Sequence, residues 1–364
     1  MMTKRMIYHM PMKIDKERHS ASHIRPLKML NAFKNIGYEV ELIDGYGKER
    51  KDKIRNIKQN IKAGIKYDFL YSESSTMPTL LTEKHHIPTY PFLDFSFFSF
   101  CKRNNIPIGL FYRDIYWCFK DYYTSPSRYI ARLFYMYDII KYNRLLNVLF
   151  IPSLEMIKYI PIKIKPKTYS LPSGSTITSN NKKILNQDKS LIEVLYIGGI
   201  GHAYDIKMFT DVISSLKKYH FTICCREEEW ELEKASYANY INSNGNITII
   251  HESGEQLDKL YNNADLFCLF IKPSSYTEFS VPYKLFEAIG NCCPIITAHG
   301  TWFSSFCNKY QIGPSCVYDY NALKNLLEKL SRDDLLRYKK NLKGIMPQHT
   351  WEHRCIEVKE QLIK

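Results

Sequence analysis

Short apolar segments typical of strands alternate with segments of helical periodicity along most of this chain. The alternation begins at 6–10, stops at a Pro-, Ser- and Asn-rich passage over 161–190, and starts again at 192. Strands separated by helices are joined by crossovers, which favours parallel sheets with helices on both faces. The sequence therefore predicts an α/β fold with two such sheets. The predicted strands are 6–10, 38–43, 68–71, 108–112, 148–152, 192–197, 221–225, 247–250, 266–270 and 294–297.

The passage over 161–190 also marks the predicted domain boundary. The chain has 364 residues, which is long for one hydrophobic core, and linker-like composition often separates domains. We predict an N-terminal Rossmann-like domain over 1–168, a C-terminal Rossmann-like domain over 169–349, and a final helix over 350–364. Because that helix is too short to be stable alone in water, it must pack on a domain.

The sequence carries a formal net charge of +14, with 45% hydrophobic and 24% charged residues. These proportions are those of a globular protein. Nucleic-acid-binding proteins usually concentrate basic residues in one stripe, whereas Lys and Arg are spread along this chain and are densest at 48–66 and 158–167. The charge therefore favours anionic substrates or an anionic membrane surface as partners, and not nucleic acid.

The cysteine spacing and the hydropathy of the sequence indicate whether the protein binds a metal ion and in which cellular compartment it works. The ten cysteines include the adjacent pairs Cys224-Cys225 and Cys292-Cys293, and none has Cys-x-x-Cys spacing. We therefore predict no metal site and a reducing compartment. No segment reaches the roughly 18 apolar residues of a membrane span, and the N-terminal apolar run is too short for a signal peptide. We expect a cytoplasmic protein, at most peripherally attached to the inner face of the cell membrane.

Residues 278–297 predict a polar loop, a short helix and a buried strand in succession. Lys284 and Glu287 are three residues apart, so they share one face of the helix. A loop that leads into a helix N-terminus between strands suits anionic ligands, because N–H groups and the helix dipole point there. Lys284 could meet a phosphate and Glu287 a ribose hydroxyl; the alternative is an ordinary helix with a solvated ion pair. The neighbouring loop candidates are Ser280, Val281 and Pro282.

A glycine-rich segment follows the predicted strand at 192–197 and precedes a helix. Glycines allow the backbone to approach a pyrophosphate and expose N–H groups to it. This segment is therefore a second candidate for nucleotide binding, and its alternative is a plain tight turn. Its candidate residues are Gly198, Gly199, Gly201 and His202.

Residues 282–287 have the sequence Pro-Tyr-Lys-Leu-Phe-Glu, followed by Gly290 and by Pro-Ile-Ile at 294–296. This pattern resembles the donor-nucleotide motif of GT-B glycosyltransferases, particularly glycosyltransferase family 4. That motif is roughly Pro-x-Lys-x-x-Glu, a stretch of small residues, Gly, and Pro before two apolar residues. Asn-Ala-Asp at 263–265 and His-Thr-Trp at 349–351 resemble further landmarks of the family, in the same order.

The resemblance covers 192–364 well and the first domain mainly in topology. It implies the GT-B architecture, in which two Rossmann-like domains face one another across a cleft. It further implies a retaining transferase with a nucleoside-diphosphate sugar as co-substrate in the second domain, and no resident cofactor. The acceptor in the first domain would be a lipid-diphosphate-linked glycan of surface polysaccharide assembly, such as capsule or O-antigen. The final helix would cross back to the first domain.

Two positions depart from the family pattern. Many members have an arginine just after the first glycine and a lysine a few residues later, where this chain has Gly199 and Tyr204. Lys284, backbone amides and Arg226 are therefore the candidates to neutralise the diphosphate. Many relatives also have a glutamate near the transferred sugar. Glu278 lies one residue out of that register, and its alternative is an exposed loop acid.

The first domain offers fewer chemical candidates. His23 and Arg25 lie between the first predicted strand and the first helix, where a GT-B enzyme would hold the acceptor or the leaving phosphate; the alternative is a helix-capping loop. Asp114 follows a predicted strand and could accept a hydrogen bond from an acceptor hydroxyl, with Tyr116 or Trp117 stacked on a sugar ring. A buried Arg113–Asp114 network is the alternative. The catalytic candidates are therefore Glu278, Asp114 and His23.

Two segments, 91–103 and 156–165, combine aromatic or apolar residues with basic ones. They could dock on an anionic bilayer, or they could be a core-facing helix and a basic linker. Two other functions stay open for the whole chain. One is a GT-B sugar-nucleotide epimerase or hydrolase, and the other is a catalytically silent nucleotide-binding partner in glycan assembly.

Overall fold

A computed structural model describes residues 4–14, 21–178, 191–201, 204–241 and 245–363. The chain forms two compact units. One unit contains Met1–Ser173 together with Trp351–Lys364, and the other contains Gly174–Thr350. Within the described residues no helix is long and apolar enough to cross a membrane.

The first unit is a parallel six-stranded sheet with helices packed around it. With elements numbered along the chain, its strands are β1 (Arg5–His9), β2 (Glu39–Ile43), β3 (Leu70–Glu73), β4 (Ile108–Phe111), β5 (Val148–Ile151) and β6 (Lys167–Ser170). Its helices are α1 (Ala21–Asn35), α2 (Gly47–Lys62), α3 (Leu93–Arg103), α4 (Pro126–Leu145) and α12 (Trp351–Leu362). The strand order is β2-β1-β3-β4-β5-β6. Strand β2 is added on one side of β1 and the later strands on the other side, so the topological switch point lies between β1 and β3.

The second unit has the same construction. Its strands are β7 (Ile192–Ile197), β8 (Tyr219–Cys224), β9 (Ile247–Ile250), β10 (Leu266–Leu269), β11 (Ile295–Ala298) and β12 (Ser315–Cys316), in the order β12-β11-β10-β7-β8-β9. Its helices are α5 (Lys207–Ser214), α6 (Glu227–Ile241), α7 (Gln256–Asn263), α8 (Tyr283–Gly290), α9 (Trp302–Tyr310), α10 (Tyr320–Lys329) and α11 (Arg332–Ile345). Successive residues of β7 point to opposite faces. Val194 and Tyr196 join one apolar cluster while Leu195 and Ile197 join the other, so both faces of the sheet are buried.

The two parallel sheets confirm the predicted α/β fold. The strand β6, however, lies in the passage that was predicted to be a linker. The sequence did not predict this strand, because Lys167 and Ser170 are exposed and the segment has no apolar run. Residue 168, the predicted end of the first domain, lies inside β6, and the first unit continues to Ser173.

The helix α12 contributes to the core of the first unit. Trp351, Cys355, Val358 and Leu362 are buried, and their spacing places them on one face of the helix. This face packs on α1 and β4. Leu362 lies so close to Gly109 of β4 that a Cβ there would come within 2.9 Å of its Cδ1. The fit explains why β4 has glycine at this position.

The aromatic segment 91–103 forms α3 and is not a docking surface as a whole. Phe95, Phe97 and Phe98 are buried. Beside them, buried Asp94 accepts hydrogen bonds from Arg50, with Nε at 3.0 Å from Oδ1 and Nη2 at 3.1 Å from Oδ2. The bilayer interpretation of this segment is therefore wrong for most of its aromatic residues, which form a core-facing helix.

The helix α4 contains a buried acid, Asp138. Its Oδ2 accepts the N–H of Thr79 at 2.7 Å, while its Oδ1 has no hydrogen-bond partner in the described part of the chain. Burial, opposed by the hydrogen bonds from Thr79, raises the pKa of Asp138 to about 7. The same carboxyl group in an unfolded chain has a pKa of about 4. The folded state therefore holds this proton more tightly, and its stability falls as the pH rises from about 4 to about 7.

We expect Asp138→Asn to remove this pH dependence, because the amide keeps an acceptor for Thr79 and carries no charge. At about pH 8 the variant should exceed the wild type in free energy of unfolding by roughly 2–4 kcal/mol, given about 1.4 kcal/mol per pKa unit. At about pH 4 the two proteins should be equal. Urea denaturation at both pH values measures this, with the exposed Asp121→Asn as the control. An equal difference at both pH values would contradict the explanation.

Candidate functional site

The second sheet has a topological switch point between β7 and β10. Counted within the unit, its strand order is 6-5-4-1-2-3, which is the doubly wound order, and β10 pairs in parallel with β7. Loops that leave neighbouring strands at such a point diverge, which creates a crevice for ligands at the carboxyl ends of the strands. The glycine-rich segment 198–201 leaves β7, and segment 270–282 leaves β10. Both segments predicted to bind a nucleotide therefore lie at the same edge of the sheet.

The helix α8 begins directly after the loop from β10. Pro282 is its N-cap and supplies no side-chain hydrogen bond to the first turn, so the end of the helix keeps its partial positive charge. Leu285, Phe286 and Ile289 are buried and anchor the helix on the core, with Val281 packed beside them. The opposite face of α8 carries Lys284 and Glu287.

Lys284 and Glu287 form an ion pair on this half-buried face. The distance from Nζ to Oε2 is 2.5 Å, and the side chains are 25% and 23% exposed. Tyr261 donates its hydroxyl to the same carboxylate at 3.4 Å, and the pKa of Tyr283 is raised by burial and then by the charge of Glu287. The charge of Lys284 also opposes the rise in pKa that burial causes in Cys224, the last residue of β8. Because α8 begins after the loop that leaves β10, the pair lies at the carboxyl edge of the sheet.

The glycine-rich segment makes backbone contacts that require glycine. Gly201 has a φ of +121°, and a Cβ on Gly198 would lie 2.9 Å from the hydroxyl oxygen of Tyr196. That hydroxyl donates to the carbonyl oxygen of Gly199 at 2.6 Å. The tight turn alone thus accounts for Gly198 and Gly201. His202, the fourth candidate in this segment, lies outside the described residues.

Arg226 follows β8, and its side chain is 70% exposed. Its guanidinium pairs with Oε1 of Glu229 in the first turn of α6. The Oε2 of Glu229 accepts a hydrogen bond from the N–H of Ile200 at 3.2 Å. The carboxylate therefore binds a backbone N–H group that could otherwise donate to a phosphate. Sequence reasoning missed Glu229, because an acid in the first turn of a helix usually only balances the helix dipole.

Glu278 lies in the loop between β10 and α8, and its side chain is exposed. Its N–H donates to the carbonyl oxygen of Ser274 at 3.1 Å, and the N–H of Ser280 donates to that of Tyr276 at 3.0 Å. Phe279 between them is buried and fixes the loop on the core. The loop therefore presents Glu278 at its surface, next to the start of α8.

In the first unit, His23 lies in the first turn of α1 and is buried. Asp114 follows β4, and its Oδ1 accepts the N–H groups of Ile115 at 2.6 Å and of Tyr116 at 3.0 Å. These bonds hold the backbone that follows Asp114 against its own carboxylate. Two residues were predicted as platforms for a sugar ring. Trp117 is only 1% exposed and cannot stack on a ligand in this conformation, whereas Tyr116 is half-buried.

Arg113 pairs with the carboxylate of Glu73. Glu73 ends β3 and is fully buried. Its Oε2 lies 3.2 Å from Nη2 of Arg113, and its Oε1 lies 3.4 Å from Nε of Arg25. Arg25 also donates to the carbonyl oxygens of residues 171 and 172. Arg25 is therefore a core cation, and not a contact for the acceptor or the leaving phosphate.

The ten cysteines are free thiols. Within the described ranges, no group of three or more His, Cys, Asp or Glu side chains is placed to hold a metal ion.

No protein-family model matches this sequence, and no curated protein matches it significantly. Solved structures match it over nearly its whole length. The sucrose-phosphate synthase of Thermosynechococcus elongatus has a TM-score of 0.65 at 11% identity, covering 98% of both chains. Anabaena HepE in complex with UDP has a TM-score of 0.65 at 11% identity, covering 99% of both chains. WaaG, a glycosyltransferase involved in lipopolysaccharide biosynthesis, has a TM-score of 0.62 at 12% identity, covering 98% of this chain and 99% of WaaG.

These similar structures are GT-B glycosyltransferases, and at such low identity the likeness establishes the fold alone. The chain therefore has the α/β fold of this class, with a Rossmann-like sheet in each unit.

Proposed function

We propose that this protein is a glycosyltransferase of the family-4 type that uses a nucleoside-diphosphate sugar. The observation that carries the proposal is that two candidate loops border the crevice at the switch point of the second sheet. One loop leads to Lys284 and Glu287 at the start of α8, and the other is the glycine-rich segment after β7. This arrangement offers a cation, a helix N-terminus and a carboxylate acceptor side by side, which suits a diphosphate joined to a ribose.

Binding of the donor would rearrange the ion pair. The diphosphate would compete with Glu287 for Lys284, and the released carboxylate would then accept hydrogen bonds from the ribose hydroxyls. The same competition would apply to Glu229, whose carboxylate holds the Ile200 amide and Arg226. A diphosphate that displaces Glu229 would gain both groups. Support for uridine as the base comes from HepE, which binds UDP and UDP-glucose.

Transfer would proceed with retention of anomeric configuration. In this scheme the acceptor hydroxyl attacks on the face that the diphosphate leaves, and the leaving diphosphate takes the hydroxyl proton. The protein holds the reactants in place, and Lys284 with the backbone amides stabilises the charge that develops on the diphosphate. Glu278 is the candidate to contact the transferred sugar. The nucleotide sugar serves as co-substrate, and the scheme needs no resident cofactor.

The acceptor in this proposal is a lipid-linked glycan of surface polysaccharide assembly, handled at the cytoplasmic face of the membrane. Support comes from WaaG, which takes part in lipopolysaccharide biosynthesis, and from the net charge of +14. Donor turnover with and without a lipid-linked acceptor tests this activity. Turnover without any acceptor would favour an epimerase or hydrolase, and binding without turnover would favour a silent partner.

Glu287→Ala should weaken donor binding by roughly 1.5–3 kcal/mol, the range for a hydrogen bond to a charged group. The fold should survive, because this carboxylate lies outside the core. Calorimetric titration with UDP and UDP-glucose measures the loss. The matched control is Glu231→Ala, which removes another i,i+3 Lys–Glu pair, that of Glu231 with Lys234 on α6. Unchanged affinity in a folded Glu287→Ala protein would overturn the ribose assignment.

A further inference from the structure

The helix α4 is apolar on the side that faces away from the core. Tyr129, Ile130, Leu133 and Ile140 are 57%, 58%, 69% and 39% exposed. The opposite side packs inward. Its buried residues are Ala131, Tyr135, Asp138, Ile139 and Tyr142.

The exposed residues form one stripe along the helix. At about 100° per residue, positions 129, 130, 133 and 140 cluster within roughly a third of a turn, and the middle of that cluster lies opposite the buried residues. A helix on the surface of a protein in water normally has charged or polar residues there. Contiguous exposed apolar residues of this kind mark a surface that binds another apolar surface.

Basic residues flank this stripe without exposed acids on the same helix. Arg132 and Lys141 lie beside its two edges and Arg144 lies within its range. The one acid of α4, Asp138, is buried. The sequence from 126 to 167 contains eight Lys or Arg residues and two acidic residues. Its continuation after α4 adds three exposed lysines. They are Lys163, Lys165 and Lys167.

A depression of about 200 Å³ extends the stripe onto α3. Its lining includes Phe92 and Tyr137, with Lys141 and Arg144 among the residues that surround it. Phe92 is 74% exposed. The combination of an exposed aromatic ring with two cations suits the boundary between lipid headgroups and acyl chains.

We propose that the face formed by Tyr129, Ile130, Leu133, Ile140 and Phe92 docks on an anionic phospholipid bilayer. The apolar side chains would enter the headgroup boundary, and the basic residues of α4 would contact lipid phosphates. A second copy of the chain fits this face less well. A two-fold contact would bring Arg132, Lys141 and Arg144 of each helix against their counterparts, without an acid of α4 to offset them.

The proposal rests on the proposed function for its purpose, because a lipid-linked acceptor requires the enzyme to work at a membrane. It names a surface that neither predicted docking segment contains, apart from Phe92. Its test does not depend on donor binding. Failure of one proposal can therefore be told from failure of the other.

Co-sedimentation measures the docking, with vesicles of phosphatidylcholine alone and of an equal mixture of phosphatidylcholine and phosphatidylglycerol. The wild-type protein should bind the mixed vesicles, and binding should fade between about 0.1 M and about 1 M salt, where the Debye length falls from about 10 Å to about 3 Å. The triple variant Ile130→Gln, Leu133→Gln, Ile140→Gln should lose at least about tenfold in partitioning, because both apolar burial and close approach of the cations are lost.

Two controls are matched to this experiment. Leu232→Gln changes an apolar residue that is 85% exposed on α6, and it should partition like the wild type. Arg132→Gln with Arg144→Gln should weaken binding more than Arg55→Gln with Arg337→Gln, which changes the net charge equally at exposed sites elsewhere. Circular dichroism and urea denaturation verify that each variant is folded.

Three results would overturn the proposal. They are absence of wild-type binding to the mixed vesicles, equal binding to both kinds of vesicle, and full binding by the folded triple variant. Conversion of a wild-type dimer to a monomer by the triple variant, with vesicle binding unchanged, would assign this face to a second copy instead.

Discussion

A chain that ends at residue 350 is expected to lose the fold of its first unit. The missing helix α12 is part of that unit, and it buries Trp351, Cys355, Val358 and Leu362. Burial of each large apolar side chain contributes roughly 1.5–3 kcal/mol. A domain is stable by only roughly 5–15 kcal/mol, so the loss of this helix removes much or all of the margin. The truncation would also expose to water the surfaces of α1 and β4 that α12 covers, which would lower the stability of the first unit further.

The second unit should survive this truncation, because it does not contain α12. We therefore expect circular dichroism and limited proteolysis to show an unfolded first unit and a protease-resistant second unit. The control is a chain that ends at Leu362, which keeps the whole helix and removes Ile363, a residue 40% exposed. Cooperative unfolding of the 1–350 chain at the wild-type midpoint would contradict the role of α12 in the core.

The fold was predictable because its signals are local. The apolar runs of β7 and β10 mark strands that are buried on both faces, and the i,i+3 spacing of Lys284 and Glu287 is enough to place them on one face of a helix. The edge strand β6 was missed because Lys167 and Ser170 face solvent and leave no apolar run. Strand β12 was missed because it has two residues.

The remaining parts of the site depend on contacts between distant residues. Glu229 meets the glycine-rich segment from the first turn of α6, and nothing in the sequence around it distinguishes it from its neighbours Glu227 and Glu228. The outward stripe of α4 was missed for a different reason. Apolar residues occur on both sides of that helix, so its periodicity does not show which side faces the core.

Glu73→Gln is expected to destabilise the first unit by roughly 3–5 kcal/mol, the cost of breaking a buried ion pair by removing one partner. Glu73 is fully buried between the guanidinium groups of Arg25 and Arg113. Tyr71 donates its hydroxyl to Oε1 at 3.1 Å. Burial, and then the charge of Glu73, raises the pKa of Tyr71 well above its usual value. A neutral glutamine of the same shape would preserve packing and leave two buried cations without their counterion.

We expect Glu73→Gln to be strongly destabilising because Glu73 is buried. Another glutamate on a strand, Glu39, tests this dependence on burial. Glu39 of β2 also pairs with an arginine, with its Oε2 2.8 Å from Nε of Arg5, but its side chain is 49% exposed. Water and salt screen such a pair, so Glu39→Gln should change the urea midpoint far less than Glu73→Gln. The double variant Glu73→Gln, Arg113→Gln should recover part of the loss, because it removes one of the two uncompensated charges. Equal midpoints for Glu73→Gln and Glu39→Gln would show that the buried network does not stabilise the first unit.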